Sequence, residues 1–258
     1  MESTLMSSII VFLVITSKMS AKGDSGALVL YDENNVLPQH KPYKHFQFGS
    51  NKISIRQNWA HDGVAGIVWD AAVVMCEYIV SNTEFFKGKN VLELGAGTGL
   101  AGLCAYLQGA SVLLTDREES IGILKENVMR NTAVRSNKEA SHSSFAYCSV
   151  DQTCDSTFLG KDNSIEVAVL NWSDRKNTYF NSEWDVVIGS DIIYIESSFD
   201  DLLTTMRQLK SSSILLSCRL RYDKDYKFIE LSKEYFNVKL VVYDENRDIR
   251  IFSFRFLD

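Results

Sequence analysis

Three glycines and three acids hold most of the chemistry this chain can offer. Gly95, Gly97 and Gly99 follow the apolar run Val91 to Leu94, with Glu93 inside that run and Ala96 between the first two glycines. Asp116 ends the next apolar run, Ser111 to Thr115. Glycines let a backbone approach a ligand closely, and a carboxylate at the following strand end can accept hydrogen bonds from ribose hydroxyls. A dinucleotide site wants G-x-G-x-x-G with a pyrophosphate on the helix N-terminus. Here the spacing is G-x-G-x-G, and Glu93 stands two residues ahead of the first glycine. A carboxylate so placed is poor company for a pyrophosphate but tolerable beside a zwitterionic sulfonium ligand. The loop therefore reads as an S-adenosylmethionine site, with Asp116 on the ribose. The third acid, Asp191, follows a second apolar run and precedes Tyr194.

Positioning these groups requires a strand, a glycine turn, a helix and a second strand. Val91 to Leu94 reads as a buried strand, and Leu100, Leu103, Cys104 and Leu107 fall at helical spacing behind the glycines. Ile121, Leu124 and Val128 mark the next helix, Ile165 to Leu170 a strand, and Trp184 to Tyr194 a further buried strand running into Asp191. Ser198 with Asp201 is expected to cap a helix whose core face is Phe199, Leu202, Leu203, Met206 and Leu209. Ser213 to Ser217 is the next strand and Tyr226 to Tyr235 the next helix. Upstream, Phe46 to Ile55 predicts a small hairpin and Val64 to Val80 a buried helix with Trp69 and Asp70 near its start. At the far end, Val238 to Tyr243 and Ile249 to Phe256 are joined by Asp244 to Asp248, too short for a crossover helix, so they pair antiparallel. The expected fold is α/β: a Rossmann-like, seven-stranded class I methyltransferase sheet, mostly parallel, closed by a C-terminal antiparallel hairpin.

Composition narrows the function classes. The 258 residues carry a net charge of -6 and no long basic run, which argues against a nucleic-acid binder and weakly favours cationic substrates. Cys76, Cys104, Cys148, Cys154 and Cys218 lack metal or dithiol spacing and read as reduced thiols of a cytosolic or nuclear protein. His40, His45, His61 and His142 form no metal or triad pattern. The apolar stretch Ile9 to Ile15 lacks a preceding basic residue and is too short to span a bilayer. Residues 1–26 are expected to be a disordered extension, 27–258 one catalytic domain, and 132–164 a long polar loop insertion. Arg219 and Arg221 read first as solvated surface residues, and as a substrate entrance second.

The chain resembles the methyltransferase-like 21 family of seven-β-strand protein-lysine methyltransferases. The resemblance covers about Ala27 to Phe254 and rests on Ile55-Arg-Gln-Asn-Trp59, Gly66-Ile-Val-Trp-Asp-Ala-Ala72, Leu92-Glu-Leu-Gly-Ala-Gly-Thr-Gly-Leu100, Thr115-Asp-Arg117 and Gly189-Ser-Asp-Ile-Ile-Tyr194. It implies that Trp69, Gly95, Ala96, Gly97, Asp116, Trp172 and Ser190 contact S-adenosylmethionine, and that Asp191 to Tyr194 is the family's D-x-x-Y motif beside the acceptor lysine. Asp191 is expected to orient the amine, with Tyr194 as a wall or acceptor; Glu93 either bonds the cofactor or caps the loop. The implied partner is a protein substrate, a heat-shock protein 70 chaperone; neither nucleic acid nor membrane is expected, and the protein is expected to be a cytoplasmic monomer. The alternatives are transfer to another protein or a small amine, or a non-catalytic chaperone-binding module. The extension and the 132–164 stretch depart from the family pattern.

Overall fold

The computed structural model describes residues 37–132, 145–147 and 163–257. The expected extension, the apolar run Ile9 to Ile15, Cys148, Cys154, His142 and most of the 132–164 stretch lie outside the described residues.

The core is one sheet of order β5-β6-β4-β3-β7-β8-β10-β9. Its strands are β3 (Asn90–Leu94), β4 (Ser111–Asp116), β5 (Phe145–Tyr147), β6 (Ile165–Val169), β7 (Val186–Ser190), β8 (Ser213–Cys218), β9 (Phe236–Asp244) and β10 (Ile249–Phe256). The strands from β3 to β8 pair in parallel; β10 runs antiparallel to both β8 and β9. Seven of these form the expected mostly parallel sheet with its antiparallel hairpin. The eighth, β5, corrects the reading of residues 132–164 as loop alone, because Phe145 to Tyr147 pair with Ile165 to Val167. A three-residue edge strand is too short to show a period.

The continuous apolar runs of β3, β4 and β7 reflect burial on both faces, as expected for parallel strands. Val91, Val112, Leu114 and Ile188 join one core with helices α1 (Asp70–Ser81), α2 (Leu100–Leu107) and α3 (Ile121–Thr132). Leu92, Leu94, Leu113 and Val187 point the other way, into a core with α4 (Phe199–Gln208) and α5 (Asp223–Ser232). A separate hairpin, β1 (Tyr43–Phe48) and β2 (Asn51–Arg56), lies beside the first core, as the alternation around Gly49 predicts.

Three local expectations are corrected. The buried helix begins at Asp70, not Val64, because Gly63–Gly66 forms a 3₁₀ turn whose Gly66 carbonyl accepts from Asn58 N, and Ile67 and Trp69 are extended. A Cβ at Gly66 would lie 2.5 Å from the Asn58 carbonyl oxygen, so glycine permits that close approach. The Ser198 and Asp201 capping pair does not form: Ser198 Oγ donates to the Ile195 carbonyl, and the Asp201 carboxylate pairs with Arg175. Helix α5 starts at Asp223 rather than Tyr226, because Asp225 Oδ2 accepts from Arg221 N and Tyr222 N and anchors its first turn.

Candidate active site

In an open α/β sheet a ligand cleft forms beyond the carboxyl ends of the strands, where the chain order reverses. Here that point lies between β3 and β7, since β3 leads on one side to β4 and on the other to β7. A cavity of about 410 Å³ opens there, a size suited to a small cofactor. All ten residues singled out from sequence line it: Trp69, Glu93, Gly95, Ala96, Gly97, Asp116, Trp172, Ser190, Asp191 and Tyr194.

The glycine turn is held by its own backbone and by both acids. Gly95, Gly97 and Gly99 take φ values of 59°, 53° and 82°, in the left-handed region that favours glycine. At Gly95 a Cβ would also lie 2.8 Å from Ile192 Cγ2 and 3.4 Å from Trp172 Cζ2, so the loop floor leaves no room for a side chain. Ala96 N donates to the Thr115 carbonyl at 2.9 Å, tying the turn to β4. Asp116 Oδ2 accepts from Gly97 N at 2.7 Å, and Oδ1 accepts from Arg117 N at 2.7 Å. Burial raises the Asp116 carboxyl above its ordinary pKa, and the Gly97 and Arg117 amide bonds pull it back down.

Glu93 makes one of its two expected contacts, the cap, and also borders the cavity. Its Oε2 accepts from Gly102 N at 2.9 Å in the first turn of α2, while the side chain borders the cavity floor. Burial in the sheet pushes its pKa up to about 8, against the Gly102 hydrogen bond. It is therefore mostly a neutral acid at pH 7. Of the other cavity carboxylates, Asp116 lies near Arg117, Asp191 is paired with Arg221 and Asp201 with Arg175.

Two tryptophans form the side walls. Trp69 Nε1 donates to the Val64 carbonyl at 2.9 Å, which fixes the ring at the head of α1. Trp172, just beyond β6, is anchored through its carbonyl, which accepts from Thr205 Oγ1 at 3.2 Å and Arg175 Nη1 at 2.6 Å. Ser190 closes the floor at the end of β7, and its buried Oγ has no hydrogen-bond partner among the described residues.

Asp191 leaves β7 with φ at 56° and its N–H donating to the Ser217 carbonyl at 2.7 Å, a conformation uncommon for a residue with a side chain. Its carboxylate meets Arg221 two-pronged, Nη1 to Oδ1 at 3.1 Å and Nη2 to Oδ2 at 2.8 Å. Tyr194 is part-exposed at the mouth; burial raises its phenol pKa, Arg117 opposes, and Asp116 and Asp191 add to the rise. Arg221 is exposed, as the sequence reading expects, yet its guanidinium is engaged by Asp191 at the cavity. Arg219, likewise, donates to the Arg247 carbonyl and pairs with Asp70. Asn127 was also missed: fully buried, it accepts from Arg56 N and donates to the carbonyls of Arg56 and Thr98, joining β2 to the glycine turn. An isolated Asn on a helix gives no local signal of this. Arg221 could have been found by treating the end of every parallel strand alike.

This sheet order, with a glycine turn after its first parallel strand and an acid ending the second, defines a class I methyltransferase. A family model described as lysine methyltransferase matches residues 47–147 and 150–235. Protein N-lysine methyltransferase METTL21A of Danio rerio is 38% identical over 232 residues, covering 88% of this chain and 94% of that protein. EEF1A lysine methyltransferase 3 of Mus musculus is 31% identical over 215 residues, 81% of each. In fold, a putative SAM-dependent methyltransferase from Streptococcus mutans superimposes with a TM-score of 0.51 at 16% identity, over 83% of this chain and 56% of that one. The chain belongs to the METTL21 family of protein-lysine methyltransferases, whose cofactor is S-adenosylmethionine. The cavity fits that cofactor: a glycine cradle that a Cβ would fill, two indole walls, and an unpartnered buried hydroxyl at Ser190.

Proposed function

We propose that the chain methylates a lysine of a heat-shock protein 70 chaperone. The observation that carries the site assignment is the convergence of Asp116 and Asp191 on one cavity from the ends of two different strands. The family resemblance supplies the chaperone as substrate. In this reading Asp116 receives the ribose hydroxyls, and Gly95 to Gly97 pass along the cofactor. Trp69 lies against its methionine end, Trp172 near the adenine, and Ser190 Oγ supplies the floor contact. When bound, the cofactor supplies a sulfonium methyl to an in-line amine. Glu93 holds the loop from beneath rather than touching the ligand.

Asp191 and Tyr194 border the same cavity, and in this reading the acceptor enters beside them. A free lysine, with a pKa near roughly 10.4, arrives protonated and has to lose its proton before it can attack. Asp191 orients the amine, the aromatic walls exclude water from it, and positioning supplies much of the rate.

The test uses labelled cofactor with purified heat-shock protein 70 and, separately, elongation factor 1A. Label in the chaperone alone is expected. The variant Asp191→Ala should lose transfer while keeping cofactor affinity, and Asp116→Asn should weaken cofactor binding at least about tenfold by calorimetry, equal to about 1.4 kcal/mol. Label confined to elongation factor 1A, the substrate named for the 31%-identical relative, would replace the chaperone in this reading.

A further inference from the structure

An acid beside a nucleophilic amine poses a problem of sign. An unpaired carboxylate within ~4–6 Å favours the ammonium form, which has no lone pair to give. Asp191 is not unpaired. Its two oxygens are spanned by Arg221, and its side chain is only 8% exposed. The guanidinium is itself placed by the fold: Arg221 N donates to Asp225 Oδ2 at 2.7 Å, and its guanidinium carbon lies 6.0 Å from the centre of the Trp69 ring. Pairing with Asp191 raises the pKa of the guanidinium, keeping it charged.

We propose that Arg221 is a positioning residue for methyl transfer: it cancels the charge of Asp191 while leaving that carboxylate lone pairs with which to orient the acceptor lysine as a neutral amine. The inference rests on Asp191 being the acceptor-facing acid. A carboxylate has roughly four lone-pair directions, and a forked arginine uses two of them. The backbone N–H of Arg219 approaches a third, on Oδ1 at 3.5 Å, and the one left on Oδ2 is available to an amine N–H. The acceptor's ammonium proton passes to solvent. The freed lone pair then forms the N–C bond as the C–S bond to the donor breaks, its electron pair staying on sulfur, and the positive charge ends on nitrogen.

Most of the surrounding charges are paired among themselves. Asp116 faces Arg117 from the end of β4, Arg250 of β10 pairs with Asp248, and Asp225 of α5 acts with Asp191 in holding Arg221 charged. Arg219 is engaged by Asp70 of α1 and the Arg247 carbonyl. Tyr194, whose phenol pKa is raised by burial, is neutral at pH 7.

The test compares wild type, Arg221→Gln and Arg221→Lys, using labelled cofactor and the total protein of a cell extract as acceptor. In Arg221→Gln the rising limb of kcat/KM against pH should move up by about one pH unit, with a roughly tenfold loss near neutrality that recovers on the alkaline side. Arg221→Lys keeps the charge without the fork, so its limb should return to the wild-type position while the plateau stays lower. Cofactor affinity by calorimetry should be unchanged in both. A second readout needs no turnover: with the spent cofactor bound, Arg221→Gln should take up n-butylammonium near neutral pH at least about tenfold more tightly than wild type. A limb that does not move in Arg221→Gln, or equal n-butylammonium affinity in the two proteins, overturns the proposal. Wild type that labels no lysine would instead overturn the reading of the site, and the amine titration then decides this inference alone.

Discussion

At the scale of single residues, the cavity separates two acids by what surrounds them. Glu93 is sealed into β3 with one amide for company, whereas Asp191 is bridged by a guanidinium. The first has a measurable consequence for stability. Its folded pKa of about 8 lies above the ordinary 4.5, so the folded protein holds this proton more tightly than the unfolded chain does. The stability this contributes is whole below pH 4.5, shrinks as pH rises, and is lost by the time pH passes 8. Glu93→Gln, which keeps an acceptor for Gly102 N and cannot ionise, should flatten the fall in Tm between those two pH values. Scanning calorimetry of the pair checks it, and parallel slopes would defeat the assignment. Asp116 is raised in the same direction but is present in both proteins, so it cancels. These acids were legible because each ends or interrupts an apolar run, a local pattern. Arg221 was not, because its partner lies 30 positions away and an exposed-looking arginine after a strand has no periodic signature.

At the scale of elements, the glycine turn depends on a helix that never touches the ligand cavity. Asn127 of α3 sends its amide to the Thr98 carbonyl at 3.1 Å and binds both polar groups of the Arg56 backbone, at 2.7 and 3.1 Å. Asn127→Ala leaves three backbone groups without their partner, Thr98 O buried and Arg56 N and O part-buried, each worth up to about 1–3 kcal/mol when unsatisfied. A net loss of about 2–4 kcal/mol is expected, because water entering the gap recovers part of that cost. Urea titration should show a lower midpoint at unchanged slope, together with weaker cofactor binding as Thr98 loosens. A loss under about 0.5 kcal/mol, ordinary for a surface change, would show that the bridge does not matter. Strand and helix existence was readable because burial on two faces leaves largely apolar runs in β3, β4 and β7, broken in β3 only by Glu93. Boundaries were not, because they are set by partners far along the chain: Asn58 on Gly66 stops the helix short of Val64, and Asp225 beneath Arg221 starts α5 early.

At the scale of the whole molecule, the cofactor end and the edge of the sheet are structurally independent. Strand β5 pairs with Ile165 to Val167, the first half of β6, while the cavity wall on that side comes from Leu170 to Ser173 beyond the strand's other end. The seven remaining strands and their antiparallel end were legible because buried runs mark the strands and the short Asp244 to Asp248 connection dictates a hairpin. The attachment of β5 was not, because parallel pairing at an edge depends on a chain segment with no period of its own. The described cavity wall on that side, Leu170 to Ser173, lies beyond the half of β6 that β5 pairs with. Replacing residues 133–162 with a Gly-Ser linker of about ten residues, flexible enough to rejoin α3 to β6, should therefore leave cofactor affinity within about twofold. Loss of three edge pairs leaves both cores intact, so the chain should still unfold cooperatively. A protein acceptor, unlike the cofactor, has to rest on surface well outside a 410 Å³ cavity, and β6 leads directly to the Trp172 lip. Methyl incorporation into the protein substrate should accordingly fall at least about fivefold while cofactor binding holds, since an interface loses affinity when its flanking contacts go. A cofactor affinity that drops tenfold with the linker in place would show that the edge and the cavity are coupled after all.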